Sequence, residues 1–220
     1  MTRREWMLAT GVGVSAGAAG LLLEPEKGTS MRMTAVEKLF VKSPGHAGEV
    51  AGHAESLLER IQVQPGWRYL DVGCGVGATA RSVAETRPLS VVGVDIDPDQ
   101  IKAARASGSL SNLQFQVMNA TGLEFGDEEF DIVATSKTTH HIPSYERALV
   151  EMVRVLRPGG YLIYTDLTVP DWLAAVGRRL LPVMGFPSEG ALDTFAAEAG
   201  LSQVFRSRSF VQLDKIWQKR

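Results

Sequence analysis

The feature that most limits what this chain can fold into is an alternation of short apolar runs with helical stretches. Trp67–Val72, Ser90–Val94, Leu113–Val117, Phe130–Ala134 and Gly160–Thr165 are apolar runs suited to strands of a buried parallel sheet. Ala78–Thr86, Pro98–Ser107 and Ser144–Leu156 separate the first from the second, the second from the third and the fourth from the fifth, and each fits the crossover helix that a parallel pairing requires. Asp97 before Pro98 reads as an N-cap followed by a first-turn proline. Arg154 and Arg157 fall near a helix C-terminus, where Pro158-Gly159-Gly160 is expected to stop the helix and turn into the next strand. The expectation is an α/β fold with a mostly parallel sheet and helices on both faces.

Around this core the rhythm changes. A helical pattern from Thr34 (Val36, Leu39, Phe40) breaks at Ser43-Pro44-Gly45, and a second runs from His46 to Ile61. After the fifth run, Asp171–Met184 and Ser188–Ala199 read as helices, with Gly200 as a C-cap. Leu201–Arg208 and Phe210–Trp217 read as strands joined around Ser209. Adjacent strands with no crossover helix between them form an antiparallel hairpin, which brings the sheet to seven strands.

A chain of 220 residues holds one such domain, here taken as residues 31–220 behind an N-terminal segment of residues 1–30. With 45% hydrophobic and 22% charged residues and a formal net charge of −2, nothing predicts a nucleic-acid partner. Cys74 is the only cysteine, and it and the four histidines lack the spacing of a structural zinc site, so no metal is expected. Arg3-Arg4 followed by the uncharged run Ala9–Leu23 resembles a twin-arginine export signal. No Ala-x-Ala site follows it. The stretch 6–23 is about as long as a membrane crossing needs, though its glycines weaken it as a helix. An exported protein, an uncleaved membrane tether and a start at Met31 or Met33 all remain open. A cytoplasmic or membrane-associated location is preferred, with export as the alternative.

The residues that carry chemistry lie at the ends of the runs. The first ends in Asp71-Val72-Gly73-Cys74-Gly75-Val76-Gly77, where glycines let backbone approach a ligand closely; the spacing misses the G-x-G-x-x-G dinucleotide fingerprint. The second ends in Asp95-Ile96-Asp97, and a carboxylate at Asp95 can accept both hydrogen bonds of a ribose diol. Asp97 reads first as a helix cap. These elements resemble the class I S-adenosylmethionine-dependent methyltransferases, from about Thr34 to the end. The resemblance implies a Rossmann-like seven-stranded sheet closing with an antiparallel hairpin. It also implies S-adenosylmethionine as cofactor, with Asp71, Gly73, Gly75 and Gly77 against its methionine part, Asp95 on the ribose and Ile96 on the adenine face. Asn119 stands where the family usually has an aspartate receiving the adenine amino group; its amide oxygen can also accept. Ala120 beside it and Ser136 complete the expected cofactor contacts.

After the fourth run comes Ser136-Lys137-Thr138-Thr139-His140-His141, and the family often has two histidines here, facing cofactor and substrate. His140 or His141 either removes a proton from an acidic acceptor or caps the following helix and packs beneath the site. Lys137, where the family is commonly apolar, is a substrate ligand or a solvated lysine. Methyl transfer asks mainly for alignment and exclusion of water, because the sulfonium supplies the leaving group. Substrate contacts are expected from Phe40, His46 and His53 in the leading helices and from Trp172 in the segment to Phe186. That segment is either an apolar lid or a helix packed on the sheet. The implied activity is methyl transfer to a small-molecule acceptor such as a quinone precursor, a lipid head group or a natural product. The alternatives are a cofactor-binding regulatory partner without transferase activity and a nicotinamide-dependent oxidoreductase, the latter disfavoured by the glycine spacing.

Overall fold

The computed structural model describes residues 44–180, 184–209 and 212–220. The segment 1–30, the helix from Thr34 and Phe40 lie outside the described residues.

The elements run α1 (Pro44–Leu58), β1 (Arg68–Val72), α2 (Ala78–Thr86), β2 (Ser90–Asp95), α3 (Pro98–Ala106), β3 (Leu113–Val117), β4 (Phe130–Ser136), a 3-10 turn (Thr139–His141), α4 (Tyr145–Val155), β5 (Leu156–Leu167), α5 (Asp171–Leu180), α6 (Glu189–Glu198), β6 (Leu201–Arg208) and β7 (Gln212–Lys219). The seven strands take the order β3-β2-β1-β4-β5-β7-β6. β1 to β5 are parallel to their neighbours among themselves, and β7 is antiparallel to both β5 and β6. The strand order therefore reverses at β1 and β4, where a doubly wound sheet opens a crevice outside its carboxyl ends.

Every strand but β3 feeds two cores. Leu70 and Val72 of β1, Leu162 and Tyr164 of β5 and Trp217 of β7 pack with Leu149 and Met152 of α4 and Leu192 of α6. Tyr69, Ile163 and Ile216, the alternate residues, pack with Leu58 of α1, Ala80 and Val83 of α2 and Ile101 of α3. The period of two along a strand sends successive side chains to opposite faces, so near-continuous apolar runs are what a sheet covered on both sides requires.

Element boundaries differ from expectation in three instructive places. α1 begins at Pro44, so the Ser43-Pro44-Gly45 break is that helix's start; proline is tolerated in a first turn because its missing N–H has no intrahelical partner there. α4 ends at Val155, before Pro158-Gly159-Gly160. Strand pairing ends it: Leu156 already pairs with Phe130, and the register then jumps to Ile132 opposite Tyr161, leaving the Pro-Gly-Gly as a bulge inside β5 with Gly159 at φ 78°. α5 is described as far as Leu180, residues 181–183 lie outside the described set, and Met184, its expected last residue, is not helical.

Candidate active site

β1 delivers the chain into a turn that only glycines complete without strain. Gly73 and Gly75 have φ of 78° and 54°. Their needs differ. A Cβ on Gly73 would sit 2.2 Å from Thr138 Oγ1, so this glycine lets the segment after β4 close on the segment after β1. A Cβ on Gly75 would meet nothing within 4 Å, which leaves open space in front of it. At Gly77 the Cβ position is filled by the Phe115 ring. The backbone N–H groups of Gly73 and Cys74 both donate to Val94 O, that of Gly75 to Asp95 Oδ2 at 2.9 Å and that of Gly77 to Cys74 O. The glycine N–H groups thus hold the loop to the sheet, and the close approach available to a ligand is over Gly75.

Asp95 ends β2 with each carboxylate oxygen taking one backbone N–H, Gly75 on Oδ2 and Asp97 on Oδ1, both at 2.9 Å. Each oxygen keeps a further lone pair for a diol. Ile96 is 45% exposed beside it, an apolar surface at the strand's end. Asp97 caps α3 by accepting from Asp99 N at 2.9 Å, as expected. Asp71 is 3% exposed, and its Oδ2 is buried without a hydrogen-bond partner. Burial, with Asp95 nearby, lifts its carboxyl to about 7 against the pull of the Ala80 N–H. Burial also raises Asp95, offset by the Asp97 and Gly75 amides. Cys74 is pushed up by burial and by both carboxylates, so its sulfur stays a thiol and no nucleophile arises there.

Beyond β3, Asn119 is exposed, and its Oδ1 accepts from Thr121 N and Thr121 Oγ1 at 3.0 Å. The amide oxygen expected to face an adenine amino group is therefore committed to its own turn, and Nδ2 is the group left to meet a ligand. Ala120 is half-buried beside it.

The segment after β4 is built around a residue that sequence reasoning missed. Asp166, fully buried near the end of β5, accepts Thr139 N at 2.7 Å, Thr139 Oγ1 at 2.6 Å and His140 N at 3.2 Å on Oδ2. On Oδ1 it takes His140 Nδ1 at 2.5 Å and Leu167 N at 2.7 Å. Asp71, Asp95 and Asp166 each stand last or next to last in a largely buried strand, and that shared position is the sequence signal that could have found Asp166. Neither histidine caps α4, whose N-cap residue is Ser144. His140 is instead oriented by a carboxylate 26 positions away, with the His141 ring 3.9 Å from its own.

Ser136 and Lys137 line a cavity of about 270 Å³ together with Val50 and His53 of α1, Thr165 of β5 and Gln212 of β7. His46 lies in α1, but its side chain is not described. A larger concavity, about 410 Å³, lies along the outer edge strand β3 between Arg105 and Gln116, away from the strand ends that carry the acidic residues. Trp172 is 70% exposed on α5, and among the residues of that helix whose burial is described only Ala174 and Gly177 are buried, which is less than a crossover helix packed on the sheet would bury. Gly185, later in the chain, donates its N–H to His140 O in the histidine turn at 3.0 Å.

These residues fit S-adenosylmethionine. Two neighbouring carboxylates, one with an orphaned buried oxygen, suit a ligand bearing a sulfonium and an ammonium, and no atom stands within 4 Å of where a Gly75 side chain would begin. Among the described residues no cluster could hold a metal ion, and no helix is long and apolar enough to cross a membrane.

Comparison with known proteins agrees with this geometry. The family model described as "Methyltransferase domain" matches residues 70–164. The chain is 39% identical to the fatty-acid O-methyltransferase of Mycolicibacterium smegmatis over 124 residues, covering 54% of this chain and 45% of the relative. It is 44% identical to phthiotriol/phenolphthiotriol dimycocerosates methyltransferase 1 of Mycobacterium ulcerans over 110 residues, covering 50% and 41%. It thus spans less than half the length of each of these relatives. One chain of the complex containing the Haloferax volcanii Trm112 methyltransferase activator shares the fold, with a TM-score of 0.68 at 19% identity over 83% of this chain and 97% of that one.

Proposed function

Because this chain carries a class I S-adenosylmethionine-dependent methyltransferase domain, with S-adenosylmethionine as its cofactor, we propose that it transfers a methyl group to a small acceptor with a lipid-like body. One observation carries the reading. Asp71 near the end of β1, Gly75 after it, Asp95 at the end of β2 and the Asp166-clamped turn after β4 lie at the carboxyl edge where the strand order reverses. Two further points support the lipid-like body. The relatives described above bear the names of fatty-acid and phthiotriol methyltransferases, and α5 exposes Trp172, Leu173, Val176 and Leu180.

The cofactor's sulfonium brings its own activated leaving group, so the chain's residues supply placement. Asp95 takes the ribose hydroxyls, Ile96 lies on the adenine face, and Asp71 faces the cationic methionine part. Asn119 Nδ2 and Ala120 border the base. Asp166 fixes the turn that presents the acceptor. With Nδ1 donating to Asp166, the Nε2 of His140 is the nitrogen able to take a proton from an acceptor hydroxyl.

The test is incubation of the full-length protein with methyl-labelled S-adenosylmethionine and acceptors that share an apolar tail but differ in head group: carboxylate, alcohol, phenol and amine. Label passing into an organic-extractable product supports the reading. Tight binding of S-adenosylmethionine with no labelled product from any head group would leave a cofactor-binding protein without transferase activity.

A further inference from the structure

Lys137 has three properties that a solvated loop lysine does not need. Its backbone lies at φ 51°, a left-handed conformation uncommon for a residue other than glycine, and one that marks sites where the surrounding structure imposes it. The imposing contact is its N–H, which donates to Thr165 O at 2.7 Å and fixes the residue across the ends of β4 and β5. The residue lines the 270 Å³ cavity, and among the described residues no carboxylate forms an ion pair with it.

Asp214, bonded to two of the lining residues, and Asp166, next in sequence to a third, are already satisfied. Asp214, 8% exposed, accepts from His53 Nε2 at 3.0 Å and Gln212 Nε2 at 3.1 Å. Asp166 is held by Thr139, His140 and Leu167. Among the described residues that line the cavity, Lys137 is therefore the one whose charge has no ion-pair partner, and Ser136, Thr165, His53, Gln212 and Val50 line it with Lys137. A buried or half-buried cation of this kind is complemented by an anionic oxygen, with charge-assisted hydrogen bonds stronger than neutral ones.

We propose that this cavity binds the carboxylate of the acceptor, with Lys137 as its counter-ion, so that the methylated atom is a carboxylate oxygen. The chemical part rests on the transferase reading. The carboxylate oxygen forms a new O–C bond to the methyl carbon as the methyl carbon–sulfur bond breaks, and that electron pair passes to sulfur. The products are a methyl ester and S-adenosylhomocysteine. No proton leaves the acceptor, so for this substrate class the His140–Asp166 pair positions the turn and moves no proton.

The experiment is calorimetric titration of the full-length protein, loaded with S-adenosylhomocysteine, with octanoate, 1-octanol and methyl octanoate. Octanoate should bind tightest, and added potassium chloride should weaken it without affecting octanol. Lys137→Gln should weaken octanoate at least about tenfold, leave octanol and S-adenosylhomocysteine unchanged, and be largely rescued by Lys137→Arg. Octanoate binding no tighter than octanol, or insensitive to both Lys137→Gln and salt, overturns the proposal. Failure of S-adenosylhomocysteine to bind would instead overturn the transferase reading; octanoate titrated alone still reports on the cavity.

Discussion

The Asp166 carboxylate holds the His140 ring and the backbone beneath it at once, with Oδ1 on Nδ1 at 2.5 Å and Oδ2 on the Thr139 and His140 N–H groups. Asp166→Asn keeps the shape and replaces one acceptor oxygen by a donor. It should lower unfolding free energy by about 1–3 kcal/mol, because buried N–H or hydroxyl groups lose their partner. It should also lower kcat while S-adenosylhomocysteine affinity holds. Thermal melts and cofactor titration read both effects, and an unchanged melting temperature would remove Asp166 from the role of clamp.

For Asp95, substitution by alanine should weaken cofactor binding by about 1–3 kcal/mol, the range for hydrogen bonds to a charged acceptor. Gly75 N and Asp97 N lose their acceptor in the same variant, so a folded-state control is needed. Unchanged affinity in a variant with wild-type circular dichroism would take Asp95 out of the site.

Asp71 makes a pH prediction. Its carboxyl is raised from 3.8 to about 7, so the folded protein keeps a proton that the unfolded chain releases. A raised acid contributes stability at low pH that is lost as pH climbs from about 4 to 7, here on the order of 4 kcal/mol. Asp71→Asn should flatten that slope. Binding of cationic S-adenosylmethionine should favour the ionised form and release a proton near neutral pH. Calorimetry in two buffers of different ionisation heat measures this, and equal heats in both would mean that Asp71 does not face the cation.

Gly73→Ala and Gly75→Ala should separate packing from ligand approach. At Gly73 the new methyl meets Thr138 at 2.2 Å and the φ is 78°, so a loss of about 2–4 kcal/mol is expected. Thr138→Ala should recover part of it. At Gly75 there is no neighbour, so only the backbone cost of roughly 1–2 kcal/mol applies, with weakened cofactor binding as the main effect. Urea titration of the single and double variants would show the pattern, and additive losses at Gly73 and Thr138 would argue that the two segments do not touch.

Much of the fold was legible because the apolar runs and crossover spacings are local. β3, α2 and β6 have the expected bounds, and Asp97 caps α3 as its place before Pro98 implied. What was hidden depends on pairing across the sheet. Nothing near Leu156 announces that it will pair with Phe130, so the Pro-Gly-Gly looked like a helix stop. In the same way the acidic pair at β1 and β2 stands out by its neighbours in sequence, whereas Asp166 gains meaning only when β5 lies beside β4 and its carboxylate reaches the turn after Ser136. The exposed face of α5 shows the limit of periodicity from another side: a helical stripe of apolar residues reads alike whether a sheet covers it or not.

The placement of β7 between β5 and β6 sets an order in time. β5 leaves the ribosome as an edge strand with a row of unpaired backbone groups, and its antiparallel partner is translated only after α5, α6 and β6. At about 5–20 residues per second that gap lasts a few seconds, during which the edge can pair with any strand that meets it. Gln212 and Asp214 arrive with β7 as well. The cavity beside Lys137 is therefore closed by residues made after every other part of its wall, and a nascent chain that has already formed its first five strands still has no place to hold an acceptor there.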